Sequence, residues 1–273
     1  MIGVTFDWHT FFNYLLPPDQ LTRSALYLTL GISIVAQFFG VVFGLISALM
    51  QRSKFRVLRF LSGMYVWFFR GTPVIVQIFF IYFGANLFLN YDLFPRTAHF
   101  LFISIDGAVL AGAVALSINE GAYMSEIVRA GIAAVDGGQL EAAKTVGLTH
   151  SQAMRRIVLP QAGRVIMPPL GNEFNNMLKT TSLLAFISVR ELFQDAEIRY
   201  SSSFKPVEYF SGVAVLYLLL TTLWGFVQKA IERKFAESDR DISAKNNRFT
   251  SRMFGTKRYS LADHSNMAIG GHE

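Results

Sequence analysis

Residues 24–50 read SALYLTLGISIVAQFFGVVFGLISALM and carry no charged side chain. As an α-helix this run is about 40 Å long, more than the roughly 30 Å hydrocarbon core of a bilayer. An uncharged stretch of that length fits a membrane span better than a strand or a half-exposed surface helix. Further apolar runs follow at about 72–89, 107–127, 165–188 and 209–230, so the chain has about five candidate spans. The second of these has an alternative, earlier start in the apolar stretch 60–69, and the fourth is the most polar. Composition agrees, with 52% hydrophobic and only 16% charged residues and a mean hydropathy of +0.36. The expected class is all-α, a polytopic membrane helix bundle.

A net charge of +6 would suggest nucleic acid in a soluble protein. Here the basic residues sort by loop. The turn after the first run holds Arg52, Lys54, Arg56 and Arg59. The segment between the third and fourth runs holds Arg129, Lys144, Arg155, Arg156 and Arg164. The tail adds Lys229, Arg233, Lys234, Arg240 and Lys245. The intervening loops are poorer, with Arg23, Arg96, Arg190, Arg199 and Lys205. The positive-inside rule then predicts the N-terminus outside and the C-terminus in the cytoplasm. The basic excess needs no nucleic acid.

Residues 1–23 are expected to be an extracytoplasmic N-terminal segment. Asp7, Asp19 and the Pro17–Pro18 pair do not suit a cleavable signal peptide. Gly40 with Gly44, and Ala108 with Gly112, are small-residue pairs at the spacing that lets helices approach closely, inside one bundle or at an oligomer seam. From 232 the chain turns polar, with a brief continuation of the last helix over 232–241 and little fixed structure expected beyond Asn246. The chain has no cysteine, which excludes disulfides and thiolate metal sites.

One cytoplasmic segment stands out. Asp136-Gly137-Gly138 is a turn signal with Asp136 as N-cap. Gln139 to Val146 reads as a short helix, with Glu141 in its first turn, where the helix dipole favours an acid. Gly147 suits the left-handed residue that ends such a helix. Thr149 or Ser151 can cap the next, from about Gln152 to Val158, which Leu159-Pro160 should stop. Two readings fit this helix pair: a solvated surface loop, or a docking element for a cytoplasmic partner.

The pattern Glu141-Ala142-Ala143, Gly147 and Ile157-Val158-Leu159-Pro160 resembles the EAA motif of ABC-importer permeases. Flanking signatures resemble the polar amino-acid branch of that family: Arg70-Gly71-Thr72-Pro73, Gly121-Ala122-Tyr123 with Glu126, Arg129-Ala130-Gly131, Gly138-Gln139, Pro160-Gln161-Ala162, and Lys179-Thr180-Thr181-Ser182-Leu183. The resemblance covers most of residues 22–230. It implies a MetI-like permease fold over 24–231 and a coupling loop at about 129–163. Its docking residues for a cytoplasmic ABC ATPase dimer would be Gly138, Glu141, Ala142, Ala143, Gly147, Leu159 and Pro160. Other implied partners are a second permease subunit, identical or paralogous, and an extracytoplasmic substrate-binding protein facing loops 90–105 and 190–207. The implied location is a bacterial inner membrane. ATP and Mg would be bound by the ATPase, and this chain would hold no cofactor.

The chain has no Walker A sequence G-x-x-x-x-G-K-[ST], and it also lacks H-E-x-x-H and G-x-S-x-G. Its expected role is therefore a non-catalytic permease. Ionisable groups inside spans are costly and face a cavity or a partner. Candidate substrate-path residues are Glu120, Asn119, Arg70, Asn172, Asn176, Lys179 and Thr181. They can equally bind one another, Glu120 with Lys179 or Arg70 for instance, and Arg70 can snorkel to the interface. The competing function is an ATP-independent amino-acid channel or secondary carrier. An inverted repeat would favour it, and none is visible.

Overall fold

The computed structural model describes residues 5–84, 87, 93–100 and 103–254. Its helices are α1 (Trp8–Leu15), α2 (Gln20–Gln51), α3 (Arg56–Gly71), α4 (Val74–Phe79), α5 (Gly107–Ala133), α6 (Gly137–Thr145), α7 (His150–Ala153), α8 (Leu159–Thr180), α9 (Leu192–Ser203) and α10 (Pro206–Phe254). Wide π-type turns follow α4 (Phe80–Gly84) and α7 (Met154–Val158), and a tight 3-10 turn (Thr181–Ile187) follows α8. Before α5, strands β1 (Thr97–Phe100) and β2 (Ile103–Asp106) pair antiparallel, with Thr97 opposite Asp106. Asp106 then caps α5, its carboxylate accepting from the Ala108 N–H at 2.7 Å. The chain divides into two compact units, residues 1–229 and 230–273. The bundle lies in the first.

The all-α membrane bundle expected from the sequence is the class observed. Among the described residues, two helices are long and apolar enough to cross a membrane alone, Gln20–Gln51 and the Pro206–Phe235 part of α10. α3 with the stretch Val74–Gly84 makes a third if that bent pair is one span. α5 and α8 have the length, but α5 carries Asn119 and Glu120, and α8 carries a run of asparagines with Glu173 and Lys179. α5 is central and is buried along most of its length, so its polar atoms meet protein rather than lipid.

α2 packs closely along α5. A Cβ at Gly40 would collide with the Glu120 side chain, and one at Gly44 with Met124. The Gly40/Gly44 pair is therefore spent inside the bundle, the first of its two sequence readings. Ile32, Ala36, Ala115, Leu116, Met177 and Leu184 fill the core between α2, α5, α8 and the 3-10 turn. Ala48, Val128, Ile132, Val158 and Ala162 form a smaller core at the end of the bundle that carries α6.

The structure corrects the sequence reading at several elements. The second span is expected at about 72–89, or from an earlier start in 60–69; if Arg56–Gly71 and Val74–Gly84 are one span, it begins at Arg56 and bends by 111° around Thr72-Pro73. Most of 85–92 lies outside the described residues. Pro73 cannot donate a backbone bond, and side chains take over that task. The Gln77 amide donates to Phe69 O at 2.9 Å and to Thr72 O at 3.0 Å. Leu159-Pro160 does not stop a helix: α8 starts there, with Pro160 in its first turn. A proline crowds the carbonyl four residues back, and the wide turn at Met154–Val158 accommodates it. Glu141 is not in a first turn, because α6 starts at Gly137. The last helix continues to Phe254, past the brief continuation expected over 232–241.

Candidate coupling and translocation sites

At one end of the bundle, α6 and α7 form an elbow between α5 and α8. Asp136 caps α6, accepting from the Gly138 N–H at 2.9 Å. The helix ends as the sequence predicts, with Gly147 at φ +82°. Leu148 N–H reaches back to Ala143 O at 3.0 Å and Gly147 N–H to Lys144 O at 3.0 Å, a paired closure that needs the left-handed glycine. Thr149, rather than Ser151, caps α7. It forms a reciprocal box in which Thr149 N–H donates to the Gln152 side chain at 2.9 Å and Gln152 N–H to Thr149 Oγ1 at 3.3 Å. The elbow is thus a set of fixed short helices rather than a solvated coil.

Its faces are unequal. Gly138, Glu141, Ala142, Gly147, Leu159 and Pro160 are exposed. Ala143 is only 1% exposed and points into the protein, so the two neighbouring alanines have opposite orientations. Val146 was missed by the sequence reading and is 76% exposed. An apolar side chain standing out at the end of a polar helix is the signal that could have found it. The exposed face therefore offers an acid, a small residue and one apolar knob, with the basic Lys144, Arg155 and Arg156 also exposed.

Inside the bundle the candidate path residues separate into groups. Glu120 is 4% exposed and accepts from the Gln37 amide of α2 at 3.0 Å. Neither Lys179 nor Arg70 is its partner. Asn119 donates to Gln77 Oε1 at 2.8 Å and to Phe69 O at 3.3 Å, so it belongs to the clamp on the α3–α4 break. Thr181 is buried, and its hydroxyl donates to Leu178 O at 2.9 Å. Arg70 lies 3.8 Å from Glu126 and over the Tyr123 ring at 5.4 Å.

Asn172, Asn176 and Lys179 share one face of α8. With Val165 and Pro168 they form the exposed stripe of that helix, at the three- and four-residue steps of a helix face. Glu173 is half-buried beside the stripe. The Gln228 amide donates to Pro168 O at 3.4 Å and to Asn172 Oδ1 at 3.3 Å, and Trp224 donates to Gly171 O at 2.8 Å. These bonds fix the rotation of α8 against α10.

The opposite end holds a charge network that no motif announced. Asp195 of α9 is wholly buried. It accepts from Arg190 at 2.7 Å, Arg199 at 3.0 Å and Thr22 at 3.0 Å. Arg199 also grips Asp19, the N-cap of α2, at 2.8 Å to both oxygens. Burial would raise the Asp19 carboxyl, but Arg199 and the Thr22 N–H outweigh it and bring it to about 2. Lys205 donates to Asp7, the N-cap of α1, at 2.6 Å. That bond, with those from Thr10, holds the Asp7 carboxyl well below the usual range and raises the Lys205 ammonium. Arg190, Arg199 and Lys205 are therefore neutralised by fixed acids.

The family of binding-protein-dependent transport system inner membrane components matches residues 40–237. The probable amino-acid permease protein YxeN of Bacillus subtilis is 38% identical over 233 residues, covering 85% of this chain and 97% of that protein. The arginine transport system permease protein ArgU of Corynebacterium glutamicum is 38% identical over 250 residues, covering 88% and 76%. Among solved structures, an amino acid ABC transporter with histidines aligns at TM-score 0.72 and 36% identity, over 84% of this chain and 99% of that one. The MetNI methionine ABC transporter, at 19% identity and TM-score 0.64 over 79% and 96%, shares the fold.

Proposed function

Because the chain belongs to the family of binding-protein-dependent transport system inner membrane components, we propose that it carries polar or charged amino acids through an ATP-driven importer. It is the permease of an ABC importer, a multi-pass membrane protein, and ATP hydrolysis belongs to a separate subunit. The amino-acid class is supported by the names of the relatives, an amino-acid permease and an arginine permease among them.

The observation that carries the translocation reading is the exposed stripe of α8. A helix of spanning length that leaves Asn176 and Lys179 exposed, with Asn172 exposed beside them though tied to Gln228 of α10, cannot present them to lipid without a large cost. A water-filled path between two permease subunits satisfies them. Glu173 flanks that path, Asn119, Glu120 and Thr181 brace its wall from behind, and Arg70 stands at its rim. An aqueous path lined by amides and one lysine suits zwitterionic solutes.

The coupling reading rests on the elbow. Glu141, Ala142, Val146 and Gly147 form the face that enters a cleft of the ATPase, with Gly138, Leu159 and Pro160 at its edges and Ala143 seating the helix on the bundle. α8 leaves the elbow without an intervening loop, so movement of α6 by the ATPase would pass into the helix that lines the path. In this arrangement the elbow is cytoplasmic and the Asp195 network faces outward, where the β1–β2 hairpin and α9 meet the binding protein. The chain binds no cofactor, and ATP and Mg stay in the ATPase. The setting is the cytoplasmic membrane of a bacterium. The test is uptake by the reconstituted complex: Asn176→Leu and Lys179→Met should assemble with the ATPase but transport poorly. Undiminished uptake by both would remove the α8 face from the path.

A further inference from the structure

Beside the path, at the end of the bundle that carries α6, lies a cavity of about 430 Å³ between the end of α2, the length of α3 and the inner part of α5. Arg59, Gly63, Trp67 and Arg70 line it from α3, Gln51 from α2 and Glu126 from α5. The α3 positions recur at three- and four-residue steps, so they share one face. Gly63 lies between the two arginines and leaves the floor open: a Cβ there meets nothing within 4 Å.

The charge in this cavity is unbalanced. Both Glu126 oxygens are held by Arg129, at 2.7 and 3.2 Å, and Arg70 stays 3.8 Å away. Arg59 spends one nitrogen on Ser53 O at 2.9 Å. Two guanidinium groups therefore face the cavity with donors to spare, against one carboxylate that is already neutralised. Guanidinium forks favour oxyanions such as phosphate and carboxylate. The surroundings select between them. Trp67 is 75% exposed and Phe60 68%, and the adjoining turn presents Arg52, Lys54 and Arg56. Exposed aromatic side chains beside a basic cluster mark the headgroup level of a membrane.

We propose that this cavity binds the headgroup phosphate of an anionic phospholipid from the adjacent leaflet. The phosphate lies between Arg59 and Arg70 over Gly63, with the glycerol and acyl portions along Trp67 and Phe60. The ligand is neither the transported solute nor a binding partner of the elbow, and the site stands whether or not the solute is an amino acid. A bound lipid would fasten α3 below its 111° break to α2 and α5.

The experiment uses the full chain in its assembled complex, in nanodiscs, with spin-labelled phosphatidylglycerol and phosphatidylcholine as probes. The immobilised fraction should favour phosphatidylglycerol on the order of thirtyfold, the gain of two arginines near a headgroup. Arg59→Gln combined with Arg70→Gln should bring the ratio close to one. Gly63→Leu keeps both charges and fills the cavity, and it should do the same. Millimolar inorganic phosphate or alanine should leave the preference intact. Equal retention of the two lipids by the wild type, or a preference unchanged in both variants, overturns the proposal. So does displacement of the labelled lipid by phosphate or by alanine, which would assign the cavity to a free oxyanion or to a solute carboxylate.

Discussion

The bend between α3 and α4 depends on one buried amide, and Gln77→Leu removes it at nearly constant volume. Gln77 Nε2 has two hydrogens, shared among Phe69 O at 2.9 Å, Thr72 O at 3.0 Å and Thr72 Oγ1 at 2.8 Å. Its Oε1 accepts from Asn119 at 2.8 Å. The substitution therefore deletes about three hydrogen bonds, at roughly 0.6 kcal/mol each for side chains in membrane bundles. The expected loss is about 2 kcal/mol, or roughly 4–8 °C in melting temperature for a domain of this size. Asn119→Leu removes the shared bond and a weaker one at 3.3 Å to Phe69 O, so its loss should be about half as large. The double variant should fall short of the sum by about 0.6 kcal/mol, because the Gln77–Asn119 bond is counted in both single losses. The assay is thermal unfolding of the detergent-solubilised complex, with all four proteins under one condition. A melting temperature for Gln77→Leu within a degree of wild type, or strict additivity in the cycle, would refute the clamp.

Other expectations follow from single contacts. Gly44→Leu should prevent assembly, since even a Cβ overlaps Met124, whereas Gly63→Leu at an open position should assemble normally; yield of intact complex distinguishes them. Gly147→Ala should cost about 1 kcal/mol through its left-handed backbone and weaken ATPase retention without changing membrane insertion, as read by pull-down. The Asp19 carboxyl is lowered to about 2, so the stability it adds is fully present above the ordinary 3.8 and fades as pH falls toward 2. The melting difference between wild type and Asp19→Asn should accordingly be flat from pH 7 to pH 5 and shrink below pH 4.

What the sequence revealed depended on how local the physics was. The α6 helix, its Asp136 cap and its Gly147 terminus are set by neighbours within a few residues, and they were readable in advance. The Gly40/Gly44 pair announced a close approach, though not that Glu120 and Met124 would fill it. Pro160 misled because the rule for the residue before a proline assumes regular α-helical turns, and a single π-type turn circumvents it. The 111° bend at Thr72-Pro73 was not visible in the sequence: Gln77 and Asn119, which make the bend tolerable, are 42 residues apart. The Asp195 network was invisible for the same reason, since Thr22 meets Asp195 across 173 residues. The polar character of α8 was plain from composition. Which of its residues face outward required the packing of α10 against Gly171 and Asn172.

In the proposed importer the α6 elbow transmits ATPase motion to a solute path along α8. The direct measurement is ATP hydrolysis and solute uptake in the same proteoliposomes, comparing wild type with Glu141→Lys and Val146→Asp on the exposed face of α6. Both variants should insert and fold, yet lose uptake together with either ATPase retention or the coupling of hydrolysis to uptake. Wild-type uptake at wild-type ATP stoichiometry in both variants would contradict transmission through the elbow.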